Sequence, residues 1–225
     1  MMKRYRTVLT LVVLLIISFV TFGAANESYT ERASFAEEEG WTAIATDDGL
    51  LFVWNARGLS FTLLLKGKEI KPFNDPEHIF FIVDGTALQI QLASIASFAP
   101  DAKDKKLDEH AILLAHRDWE SKFIGELLHS SLKVQTFNAK LSNGRDAMVW
   151  QFDMPEAMRA ESKKQLYLTL VQNDYVLLLN TEATASTADT IGRKFLLDTI
   201  GTLKISPTPI DVKKLSDSIR KSSGQ

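Results

Sequence analysis

Gln165-Leu166-Tyr167-Leu168-Thr169-Leu170-Val171-Gln172-Asn173-Asp174-Tyr175-Val176-Leu177-Leu178-Leu179-Asn180-Thr181 is the stretch that decides the fold. Its first half alternates, with Leu166, Leu168 and Leu170 on one side of a strand and Tyr167 and Thr169 on the other. Asn173-Asp174 tolerates a tight reversal, so the two halves pair antiparallel. The second half does not alternate. Tyr175–Leu179 is apolar throughout, which implies a strand covered on both faces. Such a hairpin needs material packed above and below it.

Turn dipeptides of the same kind recur along the chain. Asp48-Gly49 separates Trp41–Thr46 from Leu50–Asn55, Arg57-Gly58 precedes Ser60–Leu65, and Asp84-Gly85 lies between His78–Val83 and Ala87–Ala93. Asn143-Gly144 divides Leu132–Leu141 from Asp146–Phe152. Asp-Gly and Asn-Gly supply the positive φ angles of a hairpin turn, so the chain reads as an antiparallel β meander. Phe61–Leu65 is a second continuous apolar run and asks for the same double cover.

Two helices are expected to supply it. Leu107–Leu128 carries Ala111, Ala115, Trp119, Phe123 and Leu127 at a spacing of four, an apolar stripe widened by Ile112, Ile124 and Leu128. Asp104 is placed to cap this helix, with Asp108 and Glu109 near the positive end of its dipole. Ala188–Ile200 starts with the capping-box-like Ser186-Thr187-Ala188-Asp189, ends at Gly201, and offers Ile191, Phe195 and Leu196 as its buried side. Pro155, after Asp153, suits the first turn of a short helix through Ser162. The expected class is α+β: an antiparallel meander sheet covered by helices on both faces, an α/β/α sandwich, in one domain over residues 41–205. Residues 206–225 read as a linker and a short helical tail after Pro207 and Pro209.

The start of the chain reads as an address. Lys3, Arg4 and Arg6 precede an apolar run from Val8 to Phe22, and Gly23-Ala24-Ala25 offers a cleavage site, so residues 1–25 are read as a signal peptide. The competing reading is an N-terminal membrane anchor. As a helix that run reaches only about 22 Å against a hydrocarbon core of ~30 Å. Residues 26–40, with Glu37-Glu38-Glu39, form a polar lead-in. Losing three cations with the signal takes the net charge from −2 to −5, the wrong sign for nucleic acid or anionic lipid. There is no cysteine, which removes thiol catalysis and Cys-based metal sites and fits a bacterial periplasm for an exported domain of this size. No membrane span is expected after cleavage.

Candidate chemistry is sparse. The histidines are His78, His110, His116 and His129, with no His-Glu-x-x-His pattern among them. Glu109, His116 and Glu120 share a helical face and are the candidate catalytic residues, or the donors of a weak divalent-ion site. The bland alternative is a solvated polar face opposite the Trp119 stripe, and the charge pattern favours it. Ser218-Ile219-Arg220-Lys221 matches a nucleophile motif only formally, in the tail. No phosphate or dinucleotide loop is present, so neither cofactor nor resident metal is expected. Trp41, Trp54, Trp119, Trp150, Phe52, Phe61, Phe80, Phe81 and Phe152 read as core rather than as a ligand pocket, with either Trp54 or Phe52 accessible. Met154 and Met158 read as incidental to a mobile connection.

The order of hairpins, long helix, two hairpins, helix and short final strand resembles the Mog1/PsbP-like superfold. Leu107–Leu128, the pairs around Asn143-Gly144 and Asn173-Asp174, and the closing Tyr175–Thr181, Ala188–Ile200 and Thr202–Ile205 carry the resemblance. It implies helices on both faces of an antiparallel sheet and, from most members, a non-enzymatic binding or assembly role with another envelope protein as partner. It carries over no site residue. A hydrolase with an unrecognised site and a carrier of a small hydrophobic ligand are the alternative functions.

Overall fold

The structure, a computed structural model, describes residues 40–56, 58–73, 78–141, 144–159, 162–184 and 189–222. The expected export signal, nearly all of the lead-in, Arg57, Asn143 and the start Ser186-Thr187-Ala188 lie outside the described residues. Eleven strands fall into two antiparallel sheets among them. The smaller sheet has the order β1-β2-β3-β11, built from β1 (Gly40–Thr46), β2 (Gly49–Ala56), β3 (Leu59–Lys66) and β11 (Lys204–Ser206). The larger has the order β4-β5-β6-β10-β9-β8-β7. Its strands are β4 (Ile70–Phe73), β5 (Ile79–Val83), β6 (Thr86–Ser94), β7 (Gln135–Lys140), β8 (Asp146–Asp153), β9 (Lys164–Gln172) and β10 (Tyr175–Ala183).

That order is two meanders, β4-β5-β6 and β7-β8-β9-β10, joined where Leu88–Ser94 of β6 pairs with Tyr175–Thr181 of β10. The connection from β6 to β7 crosses one face of the sheet through α1 (Ile95–Phe98) and α2 (Glu109–Leu127). The opposite face is covered by α3 (Asp189–Ile200), as expected, and by the smaller sheet, which the sequence pattern had merged into one meander. There Phe52, Phe61, Leu63 and Leu65 meet Phe81, Leu88, Leu168 and Leu179 in one apolar cluster. Leu177 and Val176 are both about fully enclosed, so β10 has the double cover its sequence demands. Phe52 points inward, leaving Trp54 as the half-buried one of the pair.

Turn chemistry matches the dipeptides. Asp84 and Gly85 have φ of 48° and 83°, both positive as a two-residue hairpin loop requires. Asp84 also accepts the N–H groups of Lys68 and Glu69 through Oδ1, at 2.9 and 2.8 Å, tying β4 to this turn. Gly144, at φ 81°, closes the β7–β8 loop in the left-handed region, with its N–H on Leu141 O at 2.8 Å.

Some expectations shift. Asp108, not Asp104, caps α2: its Oδ1 accepts the Ala111 N–H at 2.8 Å. After Pro155 the described residues make a 3-10 turn at Glu156–Met158, and Ser162, where the expected helix was to end, lies in no helix. Met154 there is fully buried beside Phe152 and Trp150, so it is a core residue and not an incidental one. The tail carries α4 (Val212–Ser222), which touches β1. Asn55 anchors its approach, donating to Ile210 O and accepting the Ile210 N–H, each at 2.9 Å. Ser218 Oγ donates to Leu215 O at 2.8 Å within α4, an ordinary helical hydroxyl bond.

Gly49 has φ 142°, and a Cβ added to it would overlap the Leu65 carbonyl oxygen across the β2–β3 ladder. Gly49→Ala is expected to cost about 2–4 kcal/mol by combining a forbidden φ with a backbone clash. Urea unfolding checks it; a loss below 0.5 kcal/mol would show that the turn relaxes freely.

Candidate functional site

Helix α2 is where the sequence placed its candidate residues, and the structure turns that helix by about one residue, ~100°. The face packed on the sheet is Ile112, Leu113, His116, Glu120 and Ile124. The Ala111–Ala115–Trp119–Phe123–Leu127 stripe lies at the flank and is only half-buried. Trp119 packs toward Phe98 of α1, with ring centroids 6.0 Å apart and the rings tilted at 36°. The apolar arc is shared between the sheet below and α1 beside it, and that sharing sets the rotation. His116 and Glu120 are therefore not on a solvated polar face. They are 1% and 4% exposed, in the middle of the packed interface.

Glu109 does not join them. It is the first residue of α2 and exposed, where its charge sits at the positive end of the helix dipole. His110 and His129 are exposed, and His78 is buried next to Phe80 at 5.9 Å. No group of three or more His, Asp or Glu able to hold a metal ion occurs among the described residues.

What lies under His116 and Glu120 is a polar row, of which the sequence reading assigned only Trp150 to the core. Trp150 of β8 pairs with Tyr167 of β9, Tyr167 with Asn180 of β10, and Asn180 with Gln89 of β6. Trp150 and Tyr167 are fully buried, their rings stacked at 3.8 Å and 4°. Asn180 Nδ2 donates to Gln165 Oε1 at 3.1 Å and to Leu166 O at 3.0 Å. The Trp150 indole N–H, the Tyr167 hydroxyl, His116 Nδ1 and Glu120 Oε1 have no hydrogen-bond partner. His116 is framed instead by rings, with Phe98 edge-on at 5.0 Å and Trp119 at 6.0 Å.

Burial decides the protonation of this cluster. It pushes the Glu120 carboxyl from 4.5 up to about 8 and the His116 imidazole from 6.5 down to about 4. The Tyr167 phenol is held well above its usual value, first by burial and then by the nearby Glu120 charge. At neutral pH the site is thus an uncharged acid, an uncharged imidazole, a phenol and an indole. An ion pair between His116 and Glu120 would shift each group in the opposite direction. The signal for this arrangement was present in the sequence as the i, i+4 pair His116 and Glu120 together with Tyr167 on the non-leucine side of β9.

No protein-family model matches the chain. No curated protein matches it either. Among solved structures it is similar to the solution structure of cyanobacterial PsbP (CyanoP) from Synechocystis sp. PCC 6803, with 10% identity over 82% of this chain and 99% of that one. The TM-score is 0.41, a likeness of overall fold that carries no argument about the site. No helix among the described residues is long and apolar enough to cross a membrane.

The buried pair gives stability an unusual pH profile. Between pH 4.5 and 8 the unfolded chain releases a Glu120 proton that the folded chain keeps, so rising pH favours unfolding through this group. Between pH 4 and 6.5 the unfolded chain takes up a His116 proton that the folded chain refuses, so rising pH favours folding. The slopes cancel from 4.5 to 6.5, and Glu120 alone lowers stability between 6.5 and 8 by about 2 kcal/mol at ~1.4 per pH unit. Glu120→Gln is expected to remove that decline, measured by urea unfolding across the interval. Parallel curves for the two proteins would show that Glu120 is not a buried acid.

Proposed function

We propose that the chain is an exported, non-enzymatic binding protein of the bacterial envelope that pairs with an extended segment of a partner protein along β7. The observation that carries this reading is the edge of the larger sheet, beyond which no strand pairs among the described residues. β7 is its last strand, six residues long, with one charged side chain, Lys140, and no proline. Sheet edges are ordinarily blunted by charge, proline or cover, and an edge with a single charge at its end and no proline is a template for strand addition.

The register says which groups a partner would meet. Leu141 donates its N–H to Arg145 O at 2.9 Å, a paired position from which the β7–β8 ladder alternates. Thr136, Asn138 and Lys140 consequently turn their N–H and C=O away from β8. Side chains flank that edge on both faces. Phe137 is 38% exposed with the Arg193 guanidinium 4.8 Å over its ring, and on the other face Arg117 Nη1 donates to Thr136 Oγ1 at 3.0 Å. An extended segment with apolar and acidic side chains fits that frame.

Export rests on the reading of residues 1–25, and the envelope on the absence of cysteine from the chain. The hydrolase alternative loses its acid–base pair, because His116 and Glu120 face the sheet and not a cleft.

Asn138→Pro removes one outward N–H without touching a β7–β8 bond. In crosslinking within the native envelope it is expected to lower capture of the partner at least tenfold, with the far-UV spectrum unchanged. Equal capture by both proteins would remove β7 as the docking edge. N-terminal sequencing of the envelope form is expected to begin at Asn26, and an intact Met1 would overturn cleavage.

A further inference from the structure

We propose that α2 and the β8–β9 strands enclose a site for a small uncharged molecule bearing a hydroxyl, either water or an organic alcohol, held by His116, Glu120, Trp150 and Tyr167. The site is independent of the β7 edge. Its basis is the clustering of unmet polar atoms: Trp150 Nε1, Tyr167 OH, Glu120 Oε1 and His116 Nδ1 all lie between one helix and two adjacent strands, and none is bonded. Isolated buried groups without partners are rare in native proteins, and several converging on one layer indicate a missing common partner. Ile112, Ile124, Phe152 and Met154 line the same apolar cluster. Asn180, paired with Tyr167 across the strands, has its Oδ1 unbonded as well, so the row continues the same unmet demand.

The chemistry of the four groups defines the guest. The indole Nε1 is a donor only, so the guest must accept a hydrogen bond. Neutral imidazole offers one acceptor nitrogen, so the guest must also donate. A hydroxyl does both, and the Tyr167 phenol and the Glu120 carboxyl can bond to it in either sense. Charge argues the same way. No Lys or Arg is buried among the described residues, so an anion would find no counter-charge, and a cation would face the indole donor. Polar, enclosed positions with two to four bonding partners are those where proteins hold internal water.

A crystal structure of the protein at a resolution that shows ordered water, with native mass spectrometry of the same sample, tests this. Density within about 2.7–3.2 Å of Trp150 Nε1 and Tyr167 Oη is expected. An unchanged mass assigns it to water and an added mass to an organic guest. Tyr167→Phe supplies a second readout whose sign separates the cases. With the site filled, loss of the hydroxyl breaks a bond and lowers Tm by about 2–4 °C. With an empty site, removal of an unbonded hydroxyl raises Tm. A rise in Tm, direct bonds among the four groups with nothing between them, or an ion in the density would each overturn the proposal.

Discussion

Burial of both faces of the β9–β10 hairpin is the constraint from which the rest of the molecule follows. Leu166, Leu168, Leu170, Leu177 and Leu179 point one way, and Tyr167, Thr169, Val171, Val176 and Leu178 point the other, all of them enclosed. Burying a leucine or aromatic side chain contributes about 1.5–3 kcal/mol, so two uncovered faces would forfeit most of the driving force for folding. The chain meets the demand with unlike covers. A second sheet and α3 pack on the leucine side, and α1 with α2 on the side of Tyr167.

The two interfaces differ in character as well. The leucine side holds Phe52, Phe61, Phe81 and their aliphatic neighbours in close aromatic contact, with Phe52 and Phe81 rings 5.8 Å apart. The other side interrupts an apolar cluster with a cross-strand polar row and two titratable helix residues. An unbonded buried polar atom costs about 1–3 kcal/mol, so this interface is the weaker one by construction unless its groups find partners. Polar layers of this sort fix register, because shifting α2 by one turn would place an aliphatic residue where the indole and phenol require a hydrogen bond.

Much of this was legible in the residues, and the failures have a common cause. Hairpins at Asp48-Gly49, Asp84-Gly85 and Asn173-Asp174 follow from local backbone chemistry, which a turn dipeptide reports directly. Division into two sheets did not, because strand order depends on which non-local edges meet, and β6 finds β10 across more than eighty residues of chain. Helix α2 was legible in extent and misjudged in rotation. Its apolar arc is wide enough for two stripes, Ala111–Leu127 and Ile112–Ile124, and only the shape of the sheet and of α1 chooses between them. That choice carries His116 and Glu120 from water to the interior. Trp150 was recognised as a core residue and Tyr167 only as lying on the non-leucine face of its strand, and their unmet polar ends become evident only once the covering helix is seen to leave them unbonded.

The position of β11 has a consequence for biosynthesis. This strand closes the flank of β3, and the Asn55 amide then grips Ile210 just beyond it, joining residues 155 positions apart. Until translation has passed Ile210, the β1–β3 hairpins lack both their fourth strand and that grip. The smaller sheet can therefore close only after residues 204–210 have been made, although its first three strands are among the earliest described residues to be synthesised.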